Sequence, residues 1–233
     1  YADPADILRF YAQLRQLFDQ RHPHRCVHRQ LAIYRLPLHC GGQAGADSRI
    51  RKVKELAPEA AIASNSAWKK HADETRNVEE ATPDDLEWAD VIIFSAPTRY
   101  GTLPAQMKQF LDSAGQLWLQ GKLANKVVTA MSSAQNTHGG QEATILSLYT
   151  TMFHWGAIVV TPGYTDPVIF SAGGNPYGAS TAVDDEGNIK DNIEEAVRYQ
   201  AKRAITVAMW IKKGSTNGES VNEDQYTNEL AHS

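Results

Sequence analysis

Runs of apolar residues alternate with helical stripes along this chain, and the alternation lays out a series of strand, loop and helix. Val91-Ile92-Ile93-Phe94 is an unbroken apolar run that ends at Ser95-Ala96-Pro97, the pattern of a strand covered on both faces in a parallel sheet. Just before it, Thr82-Pro83-Asp84-Asp85 has the form of a helix start, with a hydroxyl N-cap, proline at the first helical position and acids at the positive end of the dipole. After it, Leu103, Met107, Phe110, Leu111, Ala114 and Leu117 recur at helical spacing behind Pro104 and predict one amphipathic helix. The unit then repeats, with a strand over 126–133, a polar loop over 134–140, a helix over 141–155 and a third strand over 157–161. Near the end, Asp191 and Glu194 have the spacing of a capping box. Ile193, Val197, Ala201, Ala204, Ala208 and Ile211 then trace a stripe that Gly214 is expected to end. Strands alternating with helices imply right-handed crossovers and a parallel sheet whose ligands sit at the carboxyl ends of the strands.

Length narrows the organisation. A chain of 233 residues suits one domain with a tail better than two domains, and the expected division is a domain over 1–213 and a disordered tail over 214–233. The formal net charge of −4 gives no electrostatic case for nucleic acid or an anionic membrane surface. Only Cys26 and Cys40 occur, too few for a disulfide framework, which fits a reducing compartment. No run approaches the roughly 18 apolar residues of a membrane helix, so the expectation is a cytoplasmic protein without membrane insertion.

Two loops occupy the carboxyl edge of the expected sheet. Pro97-Thr98-Arg99-Tyr100-Gly101 combines a hydroxyl, a cation, an aromatic and a glycine, a mixture that suits a flat ligand needing backbone hydrogen bonds and a stacking wall. An ordinary strand-to-helix turn uses the same residue types. Ser132-Ser133-Ala134-Gln135-Asn136-Thr137-His138-Gly139-Gly140-Gln141-Glu142 closes on two glycines before a helix. Such glycines admit a ligand to the backbone and to the free N–H groups of the helix start, although a flexible polar turn accounts for them too.

Together with Gly115-Gln116-Leu117-Trp118, His154 with Gly156, and Gly173-Gly174-Asn175-Pro176-Tyr177-Gly178-Ala179, these loops appear in an order that resembles the WrbA family of flavodoxin-like NAD(P)H:quinone oxidoreductases, from about Arg51 to Gly214. The resemblance implies an α/β, flavodoxin-like, doubly wound five-stranded parallel sheet with helices on both faces. It also implies noncovalent FMN, NADH or NADPH as co-substrate, two-electron reduction of a quinone, and a homotetramer. Carried over by residue, it places Thr98, Arg99, Tyr100 and Gly101 against the flavin ring, and Ser133, Ala134, Gln135, Asn136, Thr137, Gly139 and Gly140 along its other side. His154 would touch the flavin region. Trp118 and Tyr100 would wall the substrate pocket, Trp118 from another subunit. The flavin performs the chemistry, so no catalytic side chain and no metal is expected. The alternative is an FMN-binding electron carrier, or a flavin-poor interaction protein without turnover.

Residues 1 to about 50 depart from that family. A first strand over 7–11 is the preferred reading, with 30–34 as the alternative, yet no glycine precedes Gly41 to form the phosphate turn. His22, His24, Cys26, His28 and Cys40 match no standard zinc spacing. Arg15, Arg21 or Arg25 offer guanidinium groups for a phosphate instead.

Overall fold

The computed structural model describes residues 30–35, 47–64, 68–69, 72–73, 75–183 and 193–217. In chain order these hold β1 (Gln30–Arg35), β2 (Asp47–Lys52), α1 (Glu59–Ala63), α2 (Pro83–Trp88), β3 (Val91–Pro97), α3 (Ala105–Asp112) and α4 (Gly115–Leu119). There follow β4 (Val127–Ala134), α5 (Gln141–His154), β5 (Ile158–Val159), α6 (Pro167–Ser171), β6 (Ser180–Ala182) and α7 (Glu194–Asn217).

β3 and β4 form the centre, paired in parallel from Val91 opposite Val127 to Pro97 opposite Ser133, and every residue of both is buried. Successive side chains of a strand point to opposite faces, so these strands carry apolar or small residues at every position. Val91, Ile93, Val127 and Met131 join a core with Ile169 of α6 and Ala196, Val197, Ala201, Ala204 and Ala208 of α7. Ile92, Phe94, Ala96, Val128 and Ala130 join another with Leu86 of α2, Met107 and Phe110 of α3, and Ile145, Leu148 and Met152 of α5. Burying each such large side chain contributes roughly 1.5–3 kcal/mol.

The expected helix start before β3 forms as read. Thr82 N–H and Oγ1 both donate to the Asp85 carboxylate, at 3.1 and 3.3 Å, and Arg51 Nε donates to the same carboxylate from β2 at 3.1 Å. The single helix expected from Leu103 to Leu117 is instead two, α3 and α4, separated at Ser113 and Ala114. Ser113 Oγ donates back to Phe110 O at 2.6 Å, offering the backbone a local alternative to the helix, and Gly115 adds a poor helix former. In the other direction, α7 runs through Gly214 to Asn217, into the segment read as tail. One glycine costs a helix interior about 1 kcal/mol, less than the burial that holds the preceding turns.

The strand order β2-β1-β3-β4-β5 is that of the flavodoxin-like doubly wound fold, but among the described residues the sheet has six strands rather than the expected five, because β6 also pairs with β4. It is not wholly parallel either. The central slot is filled by β1, the alternative segment, and β1 runs antiparallel to both β2 and β3. The preferred segment, residues 7–11, lies outside the described residues, as do the His and Cys positions between 22 and 40. The reason for the reversal is the connection. Parallel neighbours need a crossover of a dozen or more residues, usually helical, and residues 36–46, which include Pro37 and three glycines, are too few. Arg35 therefore stands opposite Asp47, and the chain leaves β1 at the amino edge of β3, away from the edge where a flavodoxin phosphate loop follows its first strand.

β5 pairs with β4 at Val127 and Val128, and β6 with Ser132 to Ala134, leaving a gap at Ala130 on the same edge. Side chains from both helical layers fill it. Ala130 N–H donates to Tyr149 Oη of α5 at 3.1 Å, and Ala130 O accepts from Gln200 Nε2 of α7 at 2.8 Å.

Candidate functional site

The loops after β3 and β4 meet at the carboxyl edge. Thr98 N–H donates to Ser133 O at 2.9 Å, and Arg99 and Thr102 exchange backbone hydrogen bonds of 2.8 and 3.0 Å. The two residues so enclosed, Tyr100 and Gly101, have φ of +50° and +79°, a turn with both central residues left-handed. A non-glycine residue in that region costs on the order of 1 kcal/mol, and here it holds out an aromatic ring that is 90% exposed.

Gly140 sits against this turn with φ +95°, and a Cβ there would stand 2.5 Å from Gly101 Cα. A Cβ on Gly139 would meet Ala134 Cβ at 2.4 Å, so the paired glycines are required by backbone approach. Beneath the contact, Thr144 Oγ1 lies 2.9 Å from both Thr98 Oγ1 and Gly140 O, and Thr98 Oγ1 lies 3.3 Å from Gly139 O. Gln141 Nε2 donates to Asn136 O at 3.0 Å. Gly140 caps α5 without a side-chain hydrogen bond, which leaves the first N–H groups of that helix directed at the loops.

The structure thus brings together Thr98, Arg99, Tyr100 and Gly101 with Gln135, Asn136, Thr137, Gly139 and Gly140. Asn136 and Thr137 are exposed and Gln135 half-buried. Ser133 and Ala134 differ: both are sealed in the sheet, at 0% and 1% exposure, so only their backbone faces the loops. The hydroxyls of Ser95, Ser132 and Ser133 are buried with no partner among the described residues. His154 and Trp118 are not brought to the loops. His154 ends α5 at the far end from Gly140, about 20 Å along a 14-residue helix, and Trp118 Nε1 donates to His154 O at 2.8 Å. Sequence reasoning missed Thr144, whose signal was a hydroxyl inside the apolar stripe of α5, beside Ile145 and Leu148.

A cleft of about 230 Å³ lies at the opposite, amino edge, around Asp90, Asn125 and Lys126. Its cations are engaged: Lys126 Nζ donates to Glu87 O and Ala89 O, and Lys212 pairs with Asp90. Among the described residues no helix is long and apolar enough to cross a membrane.

Fold and site together define a flavodoxin-like α/β protein with a backbone-lined cradle at the carboxyl edge of its sheet. The chain belongs to the NADPH-dependent FMN reductase family, whose sequence profile matches residues 35–166. A protein of Deinococcus radiodurans named NAD(P)H dehydrogenase (quinone) is 50% identical over 165 residues, covering 71% of this chain and 82% of its own length. A second of that name, from Geotalea uraniireducens, is 38% identical over 174 residues, covering 71% and 84%. A solved flavodoxin, WrbA-like protein from Agrobacterium tumefaciens superposes with a TM-score of 0.44 at 24% identity, over 55% of this chain and 71% of its own.

The loops fit the ring of the flavin that this family implies. Gly139 and Gly140 bring the two loops into close contact, where a Cβ would clash with Ala134 Cβ or Gly101 Cα, Tyr100 offers an exposed aromatic face, and the α5 N-terminus supplies donors. The turn expected to hold the phosphate has no counterpart among the described residues.

Proposed function

We propose that this chain is an FMN-dependent NAD(P)H:quinone oxidoreductase of the WrbA type that works as a homotetramer. The observation that carries the reading is the glycine-to-glycine contact of Gly101 and Gly140 over the Thr98–Thr144 hydroxyl pair, which joins two loops into one backbone-lined surface. Membership of the FMN reductase family and the quinone dehydrogenase names of the relatives support it. When bound, FMN would supply the two-electron hydride chemistry between NADH or NADPH and a quinone.

The chain's own residues orient and stabilise. Thr98 to Gly101 flank one side of the ring, and Gln135 to Gly140 pass along the other. Arg99 N–H is committed to Thr102 O, so the donors for negative charge are the N–H groups of Gly101 and Gly140, which are fixed before reaction and need no reorganisation. Tyr100 walls the substrate pocket. Trp118 and His154, at the far end of α5, serve the site of another subunit. Trp118, Leu119 and Phe153 are 52%, 71% and 65% exposed in the free chain, and that surface supports assembly.

The test is a fluorescence titration of the purified chain with FMN. Gly140→Ala introduces a clash at φ +95°, and FMN affinity is expected to fall at least tenfold. Equal affinity in the wild type and the variant would place the flavin elsewhere.

A further inference from the structure

We infer that Thr144 is a positioning residue, one that sets the spacing of the two loops and the orientation of the 139–140 peptide without touching the ligand. The inference rests on the reading of these loops as the flavin site.

Thr144 is 0% exposed and Thr98 7%, so neither hydroxyl can fall back on bulk water. Their two oxygens stand 2.9 Å apart, with Gly140 O at 2.9 Å from Thr144 and Gly139 O at 3.3 Å from Thr98. Each hydroxyl has one proton and can accept further bonds. The contacts can therefore be satisfied in two senses. Thr98 can donate to Thr144 while Thr144 donates to Gly140 O, or Thr144 can donate to Thr98 while Thr98 donates to Gly139 O. In both, a carbonyl of the glycine pair is tied through Thr98 to the loop after β3.

Thr98 is fixed independently, because its N–H donates to Ser133 O at 2.9 Å. Thr144 is fixed as well, by the helix bond from its N–H to Gly140 O at 3.0 Å. The hydroxyl pair therefore links two anchored points, and the Gly101–Gly140 contact above it depends on their separation. A trans peptide points its N–H opposite to its C=O. With Gly139 O facing the Thr98 hydroxyl, the Gly140 N–H faces away from it, and that N–H makes no hydrogen bond among the described residues. Acting through Thr98, Thr144 thus keeps a donor aimed outward from a glycine pair that would otherwise have the widest conformational freedom in the loop.

The experiment compares wild type, Thr144→Val, which keeps the shape and loses the hydroxyl, Thr144→Ser, which keeps the hydroxyl, Thr98→Val, and the double valine variant. Amide hydrogen exchange is followed on the flavin-free chain, and FMN affinity by fluorescence titration. Thr144→Val is expected to speed exchange in both 98–102 and 135–141 and to weaken FMN about tenfold. Thr144→Ser should restore affinity to within about threefold, and the double variant should bind no worse than the weaker single one, since the two residues act as a unit. Faster exchange confined to 141–154, or additive losses in the double variant, would overturn the inference, whereas wild-type chain that binds no FMN would overturn the flavin reading and leave the exchange comparison to decide the coupling. A lower melting temperature for Thr144→Val with unchanged exchange in 98–102 would mark a merely structural role and also overturn it.

Discussion

Ala130 illustrates how single residues hold this sheet together where its strands do not. Its N–H and C=O face the gap between β5 and β6, and leaving either unpaired would cost roughly 1–3 kcal/mol. Tyr149 Oη accepts from the N–H and donates to Tyr177 O at 2.7 Å, so one phenol binds β4 to the segment leading into β6. Burial pushes that phenol up to about 12 from its ordinary value of 10.0. The neutral form is thus favoured by folding: its contribution is fully present below pH 10 and is lost as pH climbs from about 10 to about 12. Tyr149→Phe should lower stability at pH 7 by about 1–3 kcal/mol, since Ala130 N–H and Tyr177 O lose their partner. The gap between wild type and variant should then narrow in urea unfolding at pH 11. A gap of constant size across that window would contradict the assignment. Legibility at this scale was uneven. The glycines of the second loop stood out because such a pair admits a ligand to the backbone at a helix start, whereas Thr144 was hidden because a hydroxyl within an apolar stripe looks like any tolerated core threonine.

Among the elements, the central strands were read correctly because burial on both faces leaves a mark that needs no context: β3 and β4 carry apolar or small residues throughout. The direction of β1 leaves no such mark, since a period of two is the same read either way, and only the shortness of 36–46 pointed to an antiparallel return. The division of α3 from α4 depends on Ser113, whose competing bond to Phe110 O cannot be inferred from spacing. That division lets α4 turn until Trp118 Nε1 reaches His154 O at the C-terminus of α5. There the indole satisfies one of the carbonyls that a helix end leaves open, while the ring remains half exposed. Trp118→Ala should therefore impair the use of quinone and NAD(P)H more than it impairs FMN retention. KM and kcat per bound flavin, measured beside flavin content, check this; lost flavin with unchanged kinetics per bound flavin would sink it.

In the whole molecule, one end of α5 carries the cradle and the other carries Trp118 and His154, about 20 Å away by helix length. A single copy cannot close one site with both ends, so the proposed tetramer is the arrangement in which each cradle receives the aromatic end of a neighbour. Specific activity should fall on dilution as sedimentation shows dissociation, and a fully active monomer would rule this out. The family resemblance implied an aromatic wall from another subunit, and the fold adds that Trp118 meets the end of α5 opposite the cradle. Reversal of β1 bears on the same question, because it turns the end of β1 away from the carboxyl edge, where the ring-side loops stay in place and no phosphate turn lies among the described residues. The proposed function requires flavin-dependent turnover at this edge. Its most direct test is the initial rate of benzoquinone reduction by NADH and by NADPH with the purified chain, with and without added FMN. Turnover is expected to require FMN and to give parallel double-reciprocal lines, as one pocket serves donor and quinone in turn. FMN binding without quinone reduction would leave an electron carrier in place of the enzyme and contradict the proposed function.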